Sequence, residues 1–201
     1  MRFQKFLPVL LLSTFGFSAI AADRPNFVWI VSEDNSKHYL SLFDEAGVET
    51  PNIEALAAQG ITYTRAFSNS PVCSVARTTL ATGCFAPRIG TQCHRRSKSA
   101  ELPEELDVFY GILTKAGYYT TNNSKQDYNV TISKETWSES SKKADWRNRP
   151  EADQPFFHMQ SHAESHESSL HFSLESYEND PTKNDPDKVI LPPYFPDTPL
   201  F

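Results

Sequence analysis

The stretch Asn26-Phe27-Val28-Trp29-Ile30-Val31, broken off at once by Ser32-Glu33-Asp34-Asn35, decides the fold. An unbroken apolar run this short predicts a strand buried on both faces, as in a parallel sheet. Working outward, Thr50-Pro51-Asn52-Ile53-Glu54 predicts a helix start. Thr50 is placed to cap, Pro51 suits the first turn, and Glu54 lies near it. Ile53, Leu56 and Ala57 share a face and Gly60 closes the helix. Residues 61–67 alternate as a strand would, and residues 74–82 predict a second helix ended by Gly83. Residues 104–116 predict a third, with Leu106, Phe109, Tyr110 and Leu113 at helical spacing and Gly117 as its stop. Tyr118-Tyr119-Thr120-Thr121 and Pro155-Phe156-Phe157-His158-Met159-Gln160 read as two further strands. Strands alternating with helices predict an α/β sandwich, a mostly parallel sheet flanked by helices.

The chain of 201 residues opens on Arg2 and Lys5, an apolar run over 6–20 and small residues at Ala19-Ile20-Ala21-Ala22. That layout predicts a secretory signal peptide over residues 1–22, and therefore a periplasmic or secreted protein. The apolar run is shorter than the ~20 residues that span a bilayer, so no membrane association is expected after cleavage. Residues 23–201 suffice for one domain. A net charge of -6 opposes nucleic-acid binding, which needs a basic face. The polar tract over 127–154 and the 14 prolines predict long loops on a compact scaffold. Of the three cysteines, Cys73, Cys84 and Cys93, two are able to pair in an oxidising compartment, which leaves one to be explained.

Glu33 and Asp34 stand at the carboxyl end of the first strand, where open α/β sheets place ligands. Adjacent carboxylates repel, and a hard cation that takes several oxygen ligands, such as calcium, would relieve them; an acidic turn in water is the alternative. Cys73 opens the second helix, close to the positive end of its dipole, with Arg77 one turn on. This arrangement suits an anion-handling nucleophile and equally a small cysteine buried in a helix cap. His94 stands shortly after that helix. His158, His162, His166 and His171 are spaced by four and five residues, but a strand would spread the first two over ~13 Å, too far apart for a tetrahedral zinc site.

Cys73-Ser74-Val75-Ala76-Arg77 followed by Thr78-Thr79-Leu80-Ala81-Thr82-Gly83 resembles the signature of type I, formylglycine-dependent sulfatases, Cys-x-Pro-x-Arg with a later leucine and Thr-Gly. Further segments resemble the same family in the same order. Residues 24–34 are similar to its opening strand and acidic metal pair, and residues 50–61 to its first helix and second strand. Residues 116–125 are similar to the strand that delivers a lysine, and residues 155–167 to the strand that leads to a substrate-facing histidine. Residues 192–199 are similar to a following loop.

The resemblance implies an alkaline-phosphatase-like fold, of which residues 23–201 would be the N-terminal, incomplete part of the catalytic domain. It implies a sulfuric-ester hydrolase whose Cys73 is oxidised to formylglycine by a sulfatase-maturating enzyme. One hydroxyl of the aldehyde hydrate would attack sulfur, and the other would later lose its proton as sulfate is expelled. Glu33, Asp34 and the Cys73-derived hydrate would bind one calcium ion. Arg77 would steady that group, Lys125 would hold a sulfate oxygen, and His166 would stand near the leaving oxygen. Glu33 replaces the usual aspartate, Val75 the usual proline or alanine, and Asp127 the usual histidine after the lysine, where it would act as a base or an orienting group. A sulfated small molecule or polysaccharide is the implied substrate. A phosphoester or phosphonate hydrolase of the same superfamily, and a truncated fragment that binds sulfated glycans without turnover, are the alternatives.

Overall fold

A computed structural model describes residues 24–95 and 98–181, with residues 183, 185, 188, 191, 193–196 and 198. The signal-peptide expectation over 1–22, and part of the loop expected over 192–199, lie outside the described residues. Four strands form one sheet in the order β1-β4-β2-β3: β1 Phe27–Ser32, β2 Tyr119–Asn123, β3 Glu139–Ser140 and β4 Phe156–His162. Every pairing is parallel, with Phe27 opposite Phe157 and Thr121 opposite both His158 and Glu139. Four helices accompany it: α1 Pro51–Ala57, α2 Cys73–Thr82, α3 Phe109–Lys115 and α4 Leu174–Glu178. No helix among the described residues is long and apolar enough to cross a membrane.

The core forms where α3 meets the sheet. Tyr110 stacks on Trp137 with ring centroids 4.2 Å apart, and Trp29 and Phe109 each meet Phe157 at 5.5 and 5.4 Å. Val108, Ala81 and Met159 complete the buried cluster. Such tilted and offset pairs add to the burial of large rings. β4 lies at the centre, and Phe156, Phe157, His158 and Met159 are all buried.

β2 is buried too, yet its central residues are polar. Thr121 Oγ1 pairs with His158 Nδ1 at 2.7 Å, Thr120 Oγ1 with Thr114 Oγ1 at 2.5 Å, and Asn122 Nδ2 donates to Ser140 Oγ at 3.0 Å. Buried polar groups are tolerated when hydrogen-bonded in this way. Burial holds the His158 pKa below its ordinary 6.5, against a smaller upward pull from Asp145.

Four expectations are corrected. β1 is an edge strand, not one covered on both faces: Val28 and Ile30 are 53% and 67% exposed. Residues 61–67 form no strand, because their alternating residues meet no partner strand among the described residues, and Ile61, Tyr63 and Phe67 are exposed. The third helix begins only at Phe109. Ahead of it Asp107 accepts from the Val108 N–H at 2.8 Å, a local bond that competes with helix. At α1, Thr50 does not cap with its side chain; instead Glu54 reaches back to accept from the Thr50 N–H at 2.8 Å, satisfying a donor at the helix start. At the end of α2, Gly83 takes φ 66°, the left-handed conformation that glycine adopts without cost.

Candidate active site at the carboxyl ends of the strands

Because all strands run parallel, the residues that follow β1, β2 and β4 gather at one end of the sheet. Glu33 follows β1, and its N–H donates to His162 O at 3.1 Å, extending the β1–β4 pairing past the strand. Its carboxylate is buried, at 4% exposure, and each oxygen meets a cation. Oε1 accepts from Arg77 Nη2, and Oε2 accepts from Lys125 Nζ at 2.5 Å. Arg77, also buried, donates further to Lys125 O at 3.0 Å and to Ser161 Oγ at 3.1 Å. One guanidinium therefore ties together the ends of β1, β2 and β4. A buried charge is tolerated only when paired and hydrogen-bonded, and this one is both.

The expectation that the two carboxylates stand uncompensated is thus corrected for Glu33. Arg77, one turn on from Cys73, directs its guanidinium to Glu33.

Asp34 takes φ 49°, a left-handed conformation that aspartate tolerates better than most residues. The turn separates its carboxylate from that of Glu33. Asp34 Oδ2 accepts from the Glu167 N–H at 3.0 Å, and Oδ1 accepts from Cys73 Sγ at 3.7 Å. The Glu167 N–H holds the Asp34 pKa below its ordinary 3.8, helped by His166, Cys73 and Lys125 and opposed by burial. His166 Nε2 lies 3.8 Å from Asp34 Oδ2. The Ser168 N–H donates to His166 Nδ1 at 3.2 Å, so Nε2 is the ring atom that faces Asp34.

Cys73 is the first residue of α2, whose cap residue Val72 offers no side-chain bond. The first-turn N–H groups of this ten-residue helix stand at the positive end of its dipole, which favours an anion. One ligand atom each from Glu33, Cys73 and His166 lie within 4.8 Å of one another. No other grouping of this kind occurs among the described residues, and the four histidines do not gather. His158 pairs with Thr121, His162 stands 3.6 Å from Glu164, and His171 stands 3.4 Å from Glu167.

Several neighbours escape the sequence reading. Ser74 is buried, and its Oγ bonds His94 Nδ1 and the Arg95 N–H, both at 3.0 Å. His94 thus stands next to the nucleophile position. Arg95 forks onto Asp127, its Nε and Nη2 each 3.1 Å from a carboxylate oxygen. Burial raises the Asp127 pKa, but the hydrogen bonds and charge of Arg95 outweigh it and keep the carboxyl below its ordinary 3.8. Ser165 Oγ donates to Glu33 O at 2.5 Å. Serines are too common for the contacts of Ser74 and Ser165 to be signalled by sequence. The three cysteines are all free thiols, Cys84 buried and Cys93 exposed.

Comparisons with known proteins agree with this geometry. The chain is 38% identical over 159 residues to an ulvan-active sulfatase of Formosa agariphila, covering 74% of this chain and 26% of that protein. It is 34% identical over 127 residues to the N-acetylgalactosamine-6-sulfatase of Rattus norvegicus, covering 57% of this chain and 24% of that one. The chain therefore spans about a quarter of the length of these curated relatives. Among solved structures, BT4656 in complex with its substrate D-glucosamine-2-N,6-O-disulfate superposes with a TM-score of 0.55 at 18% identity. The superposition covers 69% of this chain and 34% of that one, and shows a shared alkaline-phosphatase-like α/β fold. The family model described as Sulfatase matches residues 25–159, the span that carries β1, the Cys73 helix, Lys125 and most of β4, and the chain belongs to the sulfatase family.

Proposed function

We propose that this chain carries the nucleophile and its immediate supports in an exported sulfuric-ester hydrolase, with Cys73 oxidised to formylglycine by a maturating enzyme. The observation that carries the reading is the convergence of Cys73, Asp34, Glu33 and His166 on one point at the start of α2. A polarised nucleophile, a proton donor and positive charge for the sulfate oxygens are what ester cleavage requires. His166 Nε2 faces the departing alcohol oxygen as a hydrogen-bond donor. Lys125 supplies positive charge, and Arg77 fixes Glu33 and the Lys125 backbone so that both stay in place. Asp127, with both oxygens taken by Arg95, acts as an orienting group and not as a base.

The donors present suit a hard divalent cation. Asp34 offers carboxylate oxygens, Glu33 would offer Oε2 once Lys125 turns to a sulfate oxygen, and replacing the sulfur of Cys73 with hydroxyl oxygen turns a soft third donor into a hard one. Calcium bound by these three would supply Lewis-acid charge to the sulfate. Its usual shell of about six to eight oxygens needs ligands beyond these. The names of the curated relatives, an ulvan-active and an N-acetylgalactosamine-6-sulfatase, support a sulfated glycan as substrate.

Mass spectrometry of the Cys73 peptide, after co-expression with a maturating enzyme, is expected to show the loss that accompanies conversion of thiol to aldehyde. Cys73→Ala is expected to abolish sulfate release from 4-nitrophenyl sulfate and sulfated oligosaccharides. An unmodified thiol, or turnover retained by Cys73→Ala, would overturn the proposal.

A further inference from the structure

Two arginines belong to the start of α2, and they differ in what their guanidinium groups have left to offer. Arg77 is buried and fully engaged by Glu33, Lys125 O and Ser161 Oγ. Arg95 has a side chain 57% exposed, and its partner Asp127 covers only one edge of it.

We propose that Arg95 is a catalytic residue of the hydrolase, holding oxygens of the substrate's sulfate group with the outer edge of a guanidinium that Asp127 fixes in place. The inference rests on the hydrolase reading and adds to it a permanent cation that Glu33 does not engage.

Three observations carry it. The first is position. The Arg95 N–H donates to the Oγ of Ser74, the residue after Cys73, at 3.0 Å. Its guanidinium reaches Asp127, two residues after Lys125. The side chain therefore runs from the helix of Cys73 to the loop of Lys125. The hydrogen bonds and charge of Asp127 hold the Arg95 pKa above its ordinary value, opposed by burial and helped by Cys73 and Glu167. The guanidinium thus lies in the field of the nucleophile position and of the residue that follows His166.

The second is hydrogen-bond capacity. Nε and Nη2 fork onto the two Asp127 oxygens, each at 3.1 Å. That fork uses the inner edge of the planar group and leaves the Nη1–Nη2 edge, whose parallel N–H groups match two oxygens of an oxyanion. Glu167, the other carboxylate that acts on Arg95, has His171 3.4 Å from its own Oε2.

The third is preorganisation. Arg95 takes φ 43° and Asp127 φ 52°, and with Asp34 at 49° they are the non-glycine residues of positive φ among the described residues. Left-handed conformations in such residues persist only where the surroundings impose them, and they cluster at ligand sites. Here the surroundings are visible. Asn129 is buried, and its Nδ2 donates to Thr91 O at 2.9 Å and to Cys93 O at 2.7 Å, while its N–H donates to Thr78 Oγ1 at 2.8 Å. The loop of Arg95, the segment of Asp127 and α2 are thereby tied into one support, as a site that must hold an anion in fixed geometry requires.

The test has a binding arm and a turnover arm. Isothermal titration of sodium sulfate into the full chain is expected to show binding that Arg95→Ala weakens at least about tenfold, through loss of a charge-assisted bidentate contact. Arg95→Lys keeps the charge but cannot fork, and its affinity is expected to stay within about threefold of the alanine variant. Both variants retain the backbone N–H that binds Ser74, and circular dichroism checks that each folds. In the turnover arm, kcat/KM for 4-nitrophenyl sulfate, measured on chain co-expressed with a maturating enzyme, is expected to fall at least about tenfold in Arg95→Ala. Undetectable sulfate binding, unchanged binding in Arg95→Ala, or full binding in Arg95→Lys would overturn the assignment. Full turnover by Arg95→Ala would overturn it as well and leave the hydrolase reading intact. Sulfate binding through Arg95 without hydrolysis of the ester would instead overturn the hydrolase reading and leave Arg95 as an anion-holding residue.

Discussion

Arg77→Ala should destabilise the protein far more than Lys125→Ala, although both side chains pair with the same carboxylate. Arg77 is 5% exposed, and its guanidinium makes three bonds, to Glu33, Lys125 O and Ser161 Oγ. Its removal leaves Glu33, itself 4% exposed, with Lys125 as its remaining partner. Breaking a buried ion pair by deleting one member costs about 3–5 kcal/mol. The surviving contact with Lys125 places the loss near the lower end, about 3 kcal/mol. Lys125 has a side chain 24% exposed and contacts Glu33 through Nζ at 2.5 Å, so water replaces part of what it gives. Its removal should cost about 1–2 kcal/mol, the range for a hydrogen bond to a charged group that solvent can partly replace.

For a chain of this size each kcal/mol moves Tm by about 2–4 °C. Arg77→Ala is therefore expected to lower Tm by about 6–12 °C and Lys125→Ala by about 2–8 °C. Urea denaturation followed by tryptophan fluorescence gives the free energies directly, since Trp29 and Trp137 belong to the core. A loss below about 1 kcal/mol for Arg77→Ala, the scale of an exposed ion pair, would refute the reasoning. So would a loss for Lys125→Ala that equals or exceeds it. The expected hierarchy makes Arg77 a structural tie and leaves Lys125 free to exchange Glu33 for a sulfate oxygen.

Three further outcomes are expected. The depressed pKa of His158 means that the unfolded chain takes up its proton first, so stability should fall as pH drops below 6.5 toward the folded-state value; His158→Gln should flatten that slope in pH-dependent urea titrations. Asp34, also depressed, should contribute stability that is present above its ordinary 3.8 and lost as pH falls through its folded-state value, and Asp34→Asn should remove this acid-side dependence. Calorimetric titration of calcium should show an affinity that Asp34→Asn reduces by at least tenfold, and equal affinity in the variant would remove Asp34 from the cation's ligands.

Much of this architecture was legible where residue type and location act together. The unbroken run ahead of Glu33 and the cysteine ahead of Arg77 predicted a strand end and a helix start, and the structure places β1 and α2 there. What failed depended on partners distant in sequence. Alternation over 61–67 signals a strand only if another strand lies alongside, and Ile61, Tyr63 and Phe67 find none among the described residues. The apolar run of β1 is compatible with a central strand or an edge, and its register with Phe157 and Met159 on one side decides between them. Helical spacing sets the face that Arg77 occupies but not the partner of a long side chain, which here is chosen by Glu33 from β1 and Ser161 from β4. Asp127 was recognisable as a departure from the family pattern. Its engagement by Arg95, 32 positions earlier, was not.

The exposed flank of β1 has a practical consequence for every solution experiment. Val28 and Ile30 lie on a strand whose outer backbone N–H and C=O groups meet no neighbouring strand among the described residues. An open edge with apolar side chains and no charged gatekeeper is a template for strand addition by another molecule. Light scattering across a dilution series belongs ahead of any calorimetry, because self-association at millimolar loading would be read as heat of ligand binding. Lysine at position 28 would supply the missing gatekeeper and keep the preparation dispersed.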